Sequence, residues 1–87
     1  MSVFMVERSL KGISMQDLGK AQQAAIQAAG ELSQAGTPVR YVRSTFVPES
    51  GACMCLFEAS DAAAVRQLND QAKLPYTRIV PALDLTP

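Results

Sequence analysis

The two cysteines are the residues of this chain with the most obvious reactive chemistry. Cys53 and Cys55 lie two apart in an alternating run, so in an extended strand both thiols point to the same face. Such a pair can bind a soft metal ion, whereas a disulfide between the two would strain an extended backbone. Because the chain has no other cysteine and no histidine, we expect packed thiols, with a metal or redox role as the alternative.

The polar side chains that could line a binding site are few. Tyr41 can donate a hydrogen bond into a pocket, although tyrosine is also common at protein interfaces. Glu7 has three candidate ion-pair partners, Arg8, Arg43 and Arg78, or else marks a solvated strand end. These side chains indicate binding chemistry more than catalysis.

Several chemistries lack their usual residues. Without histidine, the commonest general base and the metal-binding imidazole are both missing. The five glycines are scattered and form neither a dinucleotide-binding fingerprint nor a phosphate-binding loop. We therefore predict no catalytic residue and favour a protein without enzymatic activity, while an enzyme stays open as an alternative.

Composition sets further limits on the class of protein. The 87 residues suffice for a single small domain, residues 1–87, and 48% of them are hydrophobic. Eight basic and eight acidic residues give no net charge, which argues against nucleic acid and against charge-held anionic membranes as partners. No apolar stretch has the length of a membrane span, and the first residues lack the features of a signal peptide, so we expect a cytoplasmic protein.

The order of hydrophobic periodicities predicts the elements that must position these residues. Two helical runs interrupt four extended runs in the order β-α-β-β-α-β, which is typical of an α+β, ferredoxin-like split β-α-β domain. We expect a four-stranded antiparallel sheet in the order 4-1-3-2, with two helices on one face and Pro81 on an edge strand. The predicted segments are strands 3–8, 38–47, 52–59 and 76–83 and helices 14–35 and 60–73.

Local signals support these boundaries. Ser14 is a good N-cap for the first helix, and Gly36 a good stop after it. Ser60 and Asp61 precede the second helix in the same capping role. The first helix should bury an apolar stripe made of Leu18, Ala25, Ile26, Ala29 and Leu32.

The hairpin formed by the second and third strands has two registers, because a one-residue slip exchanges the faces of a strand. Under strict alternation, Arg40 and Arg43 lie on opposite faces and cannot form one anion site. In the first register, Val42, Phe46, Cys53, Cys55 and Phe57 face the helices, and Tyr41, Arg43, Thr45, Met54, Leu56 and Glu58 are uncovered. The second register uncovers Arg40, Ser44 and Phe46.

Either register leaves large apolar side chains on the uncovered face beside a few charges. A mixture of this kind suits an interface better than a solvated surface. We therefore predict a homodimer through the open face of the sheet, with a monomer as the alternative.

Several segments, in order, resemble a family of small bacterial ferredoxin-like proteins of unknown function, described in part as nickel-binding. They are Phe4-Met5-Val6-Glu7-Arg8, Val42-Arg43-Ser44-Thr45-Phe46-Val47, Cys55-Leu56-Phe57-Glu58-Ala59, Ala64-Val65-Arg66 and Leu74-Pro75 through Arg78-Ile79. The resemblance implies a dimer and a nickel ion held by imidazole and carboxylate ligands. Histidine is absent here, and the matched polar residues are Glu7, Arg8, Ser44, Cys55 and Arg66.

Three functional hypotheses follow. The first is a dimer that binds a small-molecule ligand or a partner, without a cofactor, in a pocket lined by Glu7, Tyr41, Arg43 and Cys55. The second is a nickel or other transition-metal protein that uses Cys53, Cys55 and Glu7 as ligands. The third, by analogy of fold alone, is an enzyme like the dimeric α/β-barrel monooxygenases.

Overall fold

A computed structural model describes residues 1–87 and has the predicted βαββαβ order, with two helices on one face of an antiparallel sheet. The strand order is β2-β3-β1-β4, which confirms the ferredoxin-like prediction. The central position of β1 and the edge position of β4, with Pro81, are also as predicted. The elements are β1 (Ser2–Ser9), α1 (Met15–Gln34), β2 (Val39–Phe46), β3 (Ala52–Ala59), α2 (Ala62–Gln71) and β4 (Arg78–Ala82).

Side-chain caps and left-handed residues define the helix ends. The Ser14 side chain accepts a hydrogen bond from a backbone N–H of the first turn of α1, and Asp61 does the same for α2. Gly36, at φ 99°, follows the end of α1. Lys73, at φ 57°, lies just beyond the end of α2, and the N–H of Leu74 donates back to the carbonyl of Asn69 at 3.0 Å. Neither helix combines the length and the apolar character that a membrane span requires.

The core lies between the helices and the sheet. Phe57, Val6, Val65 and Leu68 are fully buried there. Ile26 is 40% exposed, so its predicted place in the α1 stripe was wrong. The buried residues of α1 follow one regular helical spacing that Ile26 does not share: Ala25, Ala28, Ala29 and Leu32.

A β-bulge in β2 changes which side chains share a face. Tyr41 pairs with Phe57 and Arg43 pairs with Leu56, so Val42 between them has no partner on β3. The extra residue breaks the alternation, and side chains on the two sides of the bulge no longer keep a period of two.

The first of the two predicted registers holds for β3 and for the end of β2, where Phe46 faces the helices with the two cysteines and Phe57. It was wrong for Tyr41, which packs edge-to-face on the buried Phe57 ring at a centroid distance of 5.6 Å. It was also wrong for Val42, the unpaired residue of the bulge. For the same reason Arg40 and Arg43 share the open face, contrary to the prediction from strict alternation.

The uncovered side of the sheet, here called the open face, has an apolar centre and a charged border. The border contains three ion pairs: Arg40 with Glu58 (2.6 Å), Arg43 with Asp84 (2.9 Å) and Arg78 with Glu7. The half-buried centre consists of Val3, Met5, Met54, Leu56 and Val80.

Candidate functional site

A cavity of about 160 Å³ lies between α1 and the helix-facing side of β2 and β3. We call it the α1 cavity. An apolar cavity of about 150 Å³ can hold a molecule the size of benzene, so the α1 cavity has room for a ligand of that size. Its polar lining residues are Arg8, Gln22, Tyr41 and Ser44, its thiols are Cys53 and Cys55, and its apolar residues are Leu10, Leu18, Ala21, Ala25, Phe46 and Leu74.

A chain of hydrogen bonds runs along one wall of the cavity. The Gln22 Nε2 group donates to the Tyr41 hydroxyl at 3.0 Å, and the Tyr41 and Ser44 hydroxyls are 2.7 Å apart. Ser44 donates in turn to the Cys55 sulfur at 3.0 Å, and this sulfur is 3.9 Å from that of Cys53. The bulge creates this wall, because Tyr41 and Ser44 are three positions apart and regular alternation would place them on opposite faces.

Arg8 brings a positive charge to the same cavity. Only 4% of its surface is exposed. Its Nη1 donates to Asn69 Oδ1 at 2.8 Å and to the Pro75 carbonyl at 3.1 Å. Its Nη2 is buried and finds no acceptor in the protein. Because none of the three ion pairs includes Arg8, this guanidinium has only neutral partners.

Asn69 is the residue that holds Arg8 in place. It is fully buried, and its Nδ2 donates to the Val65 carbonyl one helical turn earlier at 2.8 Å. That bond fixes the amide so that Oδ1 points toward the guanidinium. The C-terminal end of α2 also carries a partial negative charge, which stabilises a nearby cation by roughly 1 kcal/mol.

Sequence reasoning missed Arg8 and Asn69 as site residues. One available signal was the period of two along β1, which places Arg8 on the same face as Phe4 and Val6. At the level of the sequence, Arg8 is only a candidate ion-pair partner of Glu7 and a residue matched to the family pattern. For Asn69, the helical spacing from Val65 was the corresponding signal.

The Cys53 thiol is neutral in the folded protein at neutral pH. Burial, reinforced by the adjacent Cys55, raises the pKa of Cys53 to about 11. Arg8 lies beside Cys53 in the strand register and opposes part of that shift. Cys53 is therefore a poor source of thiolate at neutral pH.

These residues do not fit a nickel ion. The two sulfurs are close enough to bind one ion, but no cysteine, histidine or carboxylate lies near them to serve as a third ligand. Nickel sites draw on several nitrogen or thiolate donors. Here the raised pKa keeps the Cys53 thiol protonated, and the Arg8 guanidinium would repel a metal cation.

The structure separates the residues predicted to form one pocket. Tyr41 and Cys55 line the α1 cavity, whereas Glu7 and Arg43 lie on the open face. Glu7 pairs with Arg78, one of its three predicted partners, and hydrogen bonding from that guanidinium lowers the pKa of Glu7. The predicted metal ligands are separated in the same way, because the sheet lies between Glu7 and the cysteines.

Comparisons with known proteins agree with the geometry of the fold. Residues 4–81 match the family model described as "Nickel responsive protein SCO4226-like". The crystal structure of SCO4226 from Streptomyces coelicolor A3(2) superimposes with a TM-score of 0.81 and 24% sequence identity, and the match covers 98% of this chain and all of that one. No curated protein matches the chain. The resemblance to a small bacterial family with a ferredoxin-like fold is thus confirmed.

Proposed function

Because the chain belongs to the SCO4226-like family of nickel responsive proteins but has no donor set for nickel, we propose that it is a non-catalytic protein that binds a small organic molecule. The observation that carries this proposal is the α1 cavity, which is mostly apolar and has a few polar groups on its walls. This combination is typical of small-molecule sites.

Two features support ligand binding over an accidental void. The wall chain from Gln22 to Cys55 uses four side chains from three elements, so the cavity is held open by specific contacts. The small side chains of Ala21 and Ala25 on α1 leave the space unfilled. A larger residue there would fill the cavity and stabilise the fold.

Nuclear magnetic resonance can test the proposal directly, since the chain has a mass of 9.3 kDa. Benzoate, benzamide and benzylamine, each a benzene ring with one small substituent, serve as probes and are followed in ¹H–¹⁵N spectra. We expect saturable shifts at Tyr41 and Ser44 for at least one probe. Filling the cavity by Ala21→Leu should abolish them, while Ala24→Leu, on α1 but outside the cavity lining, should not.

Two outcomes would contradict the proposal. The absence of any saturable shift with all three probes would show that the cavity is only a packing defect. Alternatively, nickel could bind saturably, with thiolate-to-metal absorption that disappears in the Cys53→Ser/Cys55→Ser double variant. That result would favour metal binding instead.

We further propose that the protein forms a homodimer through the open face. The apolar centre of this face is surrounded by arginines that already have acidic partners within the chain. Covering it would therefore leave no charge without a partner, and the chain has no net charge to oppose association.

Light scattering after size exclusion tests the dimer. The untagged protein should have twice the 9.3 kDa chain mass. Leu56→Glu, which places a charge at the apolar centre, should give the monomer, while Ala63→Glu on the exposed side of α2 should leave the dimer intact. Even a weak dimer, with a Kd of about 100 µM, assembles at protein concentrations of about 100 µM and above. A wild-type protein that stays monomeric in that range would overturn the proposal.

A further inference from the structure

The charge of Arg8 indicates which class of molecule the α1 cavity selects. An arginine buried to this extent is normally paired with an anion. The chain has eight acidic residues, and none forms an ion pair with Arg8. The missing counterion is therefore not supplied by the protein.

The geometry of the guanidinium leaves one edge free. Nη1 is occupied by Asn69 and Pro75, and Nη2 has no acceptor. Planar guanidinium groups bind carboxylates through adjacent N–H groups. A ligand oxygen beside Nη2 would satisfy the remaining donor, which otherwise stays buried and unpaired.

The rest of the cavity restricts the ligand further. Nine of the twelve lining residues are hydrophobic, among them Leu10, Leu18 and Phe46. One buried cation matches one negative charge, and a dianion would bring a second charge into a mainly apolar space. The ligand therefore combines one anionic group with an apolar body.

We propose that the α1 cavity binds a small organic monoanion, of the carboxylate class, with its carboxylate on Arg8 and its apolar part between α1 and the sheet. This inference rests on the proposed ligand-binding function and specifies the charge that such a site selects. It also accounts for the poor fit to nickel, because a site built around a buried cation selects against metal ions.

The same three probes test this inference separately from the binding function, since they share one ring and differ in charge. Benzoate should bind at least about tenfold more tightly than neutral benzamide, as expected for a charge-assisted hydrogen bond. Cationic benzylamine should bind more weakly than either. Equal binding of benzoate and benzamide would overturn the inference and leave the binding function standing.

A variant identifies the responsible charge. Arg8→Met should reduce benzoate affinity to the level of benzamide and leave benzamide affinity unchanged. Arg66→Met, which removes an exposed arginine from α2, should change neither. If Arg8→Met does not fold, the comparison of the three probes on the wild-type protein still tests the inference. Preferential binding of inorganic phosphate over benzoate would also refute the proposed ligand class.

Discussion

Replacing Arg8 and Asn69 together should be better tolerated than replacing Asn69 alone. Asn69→Leu keeps the side-chain size but removes the acceptor for Arg8 Nη1 at 2.8 Å. A hydrogen bond to a charged group contributes about 1.5–3 kcal/mol, and the buried guanidinium would lose its best partner. We expect the free energy of unfolding to fall by about 2–3 kcal/mol.

In the double variant Arg8→Met/Asn69→Leu, the buried charge and its partner are both gone. Exchanging buried ionic or polar groups for apolar ones of similar size is often neutral or stabilising. The double variant should therefore lie within about 1 kcal/mol of the wild type or above it. This result is expected if Arg8 is kept for a ligand rather than for stability.

Urea unfolding followed by far-ultraviolet circular dichroism is the appropriate assay, because the chain has no tryptophan. With an m-value of about 1 kcal/mol/M, the Asn69→Leu midpoint should move by about 2–3 M. Protein concentration is held constant because a dimer would couple assembly to unfolding. Gln67→Leu, exposed on α2, is the matched control. A double variant as unstable as Asn69→Leu would refute the reasoning, because Arg8 would then stabilise the fold.

Three further outcomes are expected. Placing a non-glycine residue in the left-handed conformation costs roughly 1–2 kcal/mol. Gly51→Ala should lower the free energy of unfolding by more than that, because φ is 80° and a Cβ would also overlap the Lys11 backbone. Gly19→Ala, in open space on α1, should not destabilise, and equal urea midpoints for the two variants would contradict the argument. Because burial raises the pKa of Cys53, the folded state favours the neutral thiol. The contribution of this preference to the free energy of unfolding is complete below pH 9 and is lost as pH rises toward about 11. Cys53→Ala should flatten that part of the stability profile, and an unchanged slope would assign it to another group. The lowered pKa of Glu7 has the opposite sign: its contribution is present above pH 4.5 and is lost as pH falls through the lowered value. Glu7→Gln should reduce the acid sensitivity of the urea midpoint, and parallel acid profiles would count against the ion pair.

Most of the fold could be predicted from local patterns. Apolar residues on both faces of β1 indicated a central strand, and Pro81 indicated an edge. Alternation along β3 placed both cysteines on one face, and the structure buries that face. These features depend on periodicity and steric rules within one element, which is why the sequence alone was sufficient.

The candidate site was harder to predict because it depends on contacts between elements. No glycine or other local signal accompanies the bulge at Val42, so the first of the two registers put Tyr41 on the open face. The burial of Arg8 depends on Asn69, which lies 61 residues further along the chain. The cavity itself arises from the distance between α1 and the sheet, and the alanines of α1 are compatible with either a close contact or an open space.

The unpaired Val42 has a consequence for how chain length can vary in this fold. Without that residue, regular alternation from Phe46 backward would still bring Tyr41 and Val39 to the helices and Arg40 to the open face. A one-residue deletion at this point therefore preserves the cavity wall, whereas a deletion elsewhere in β2 would reverse part of the strand. An alignment with a chain that lacks the extra residue should therefore place its gap at Val42, because an ungapped β2 would then equate residues from opposite sides of the sheet.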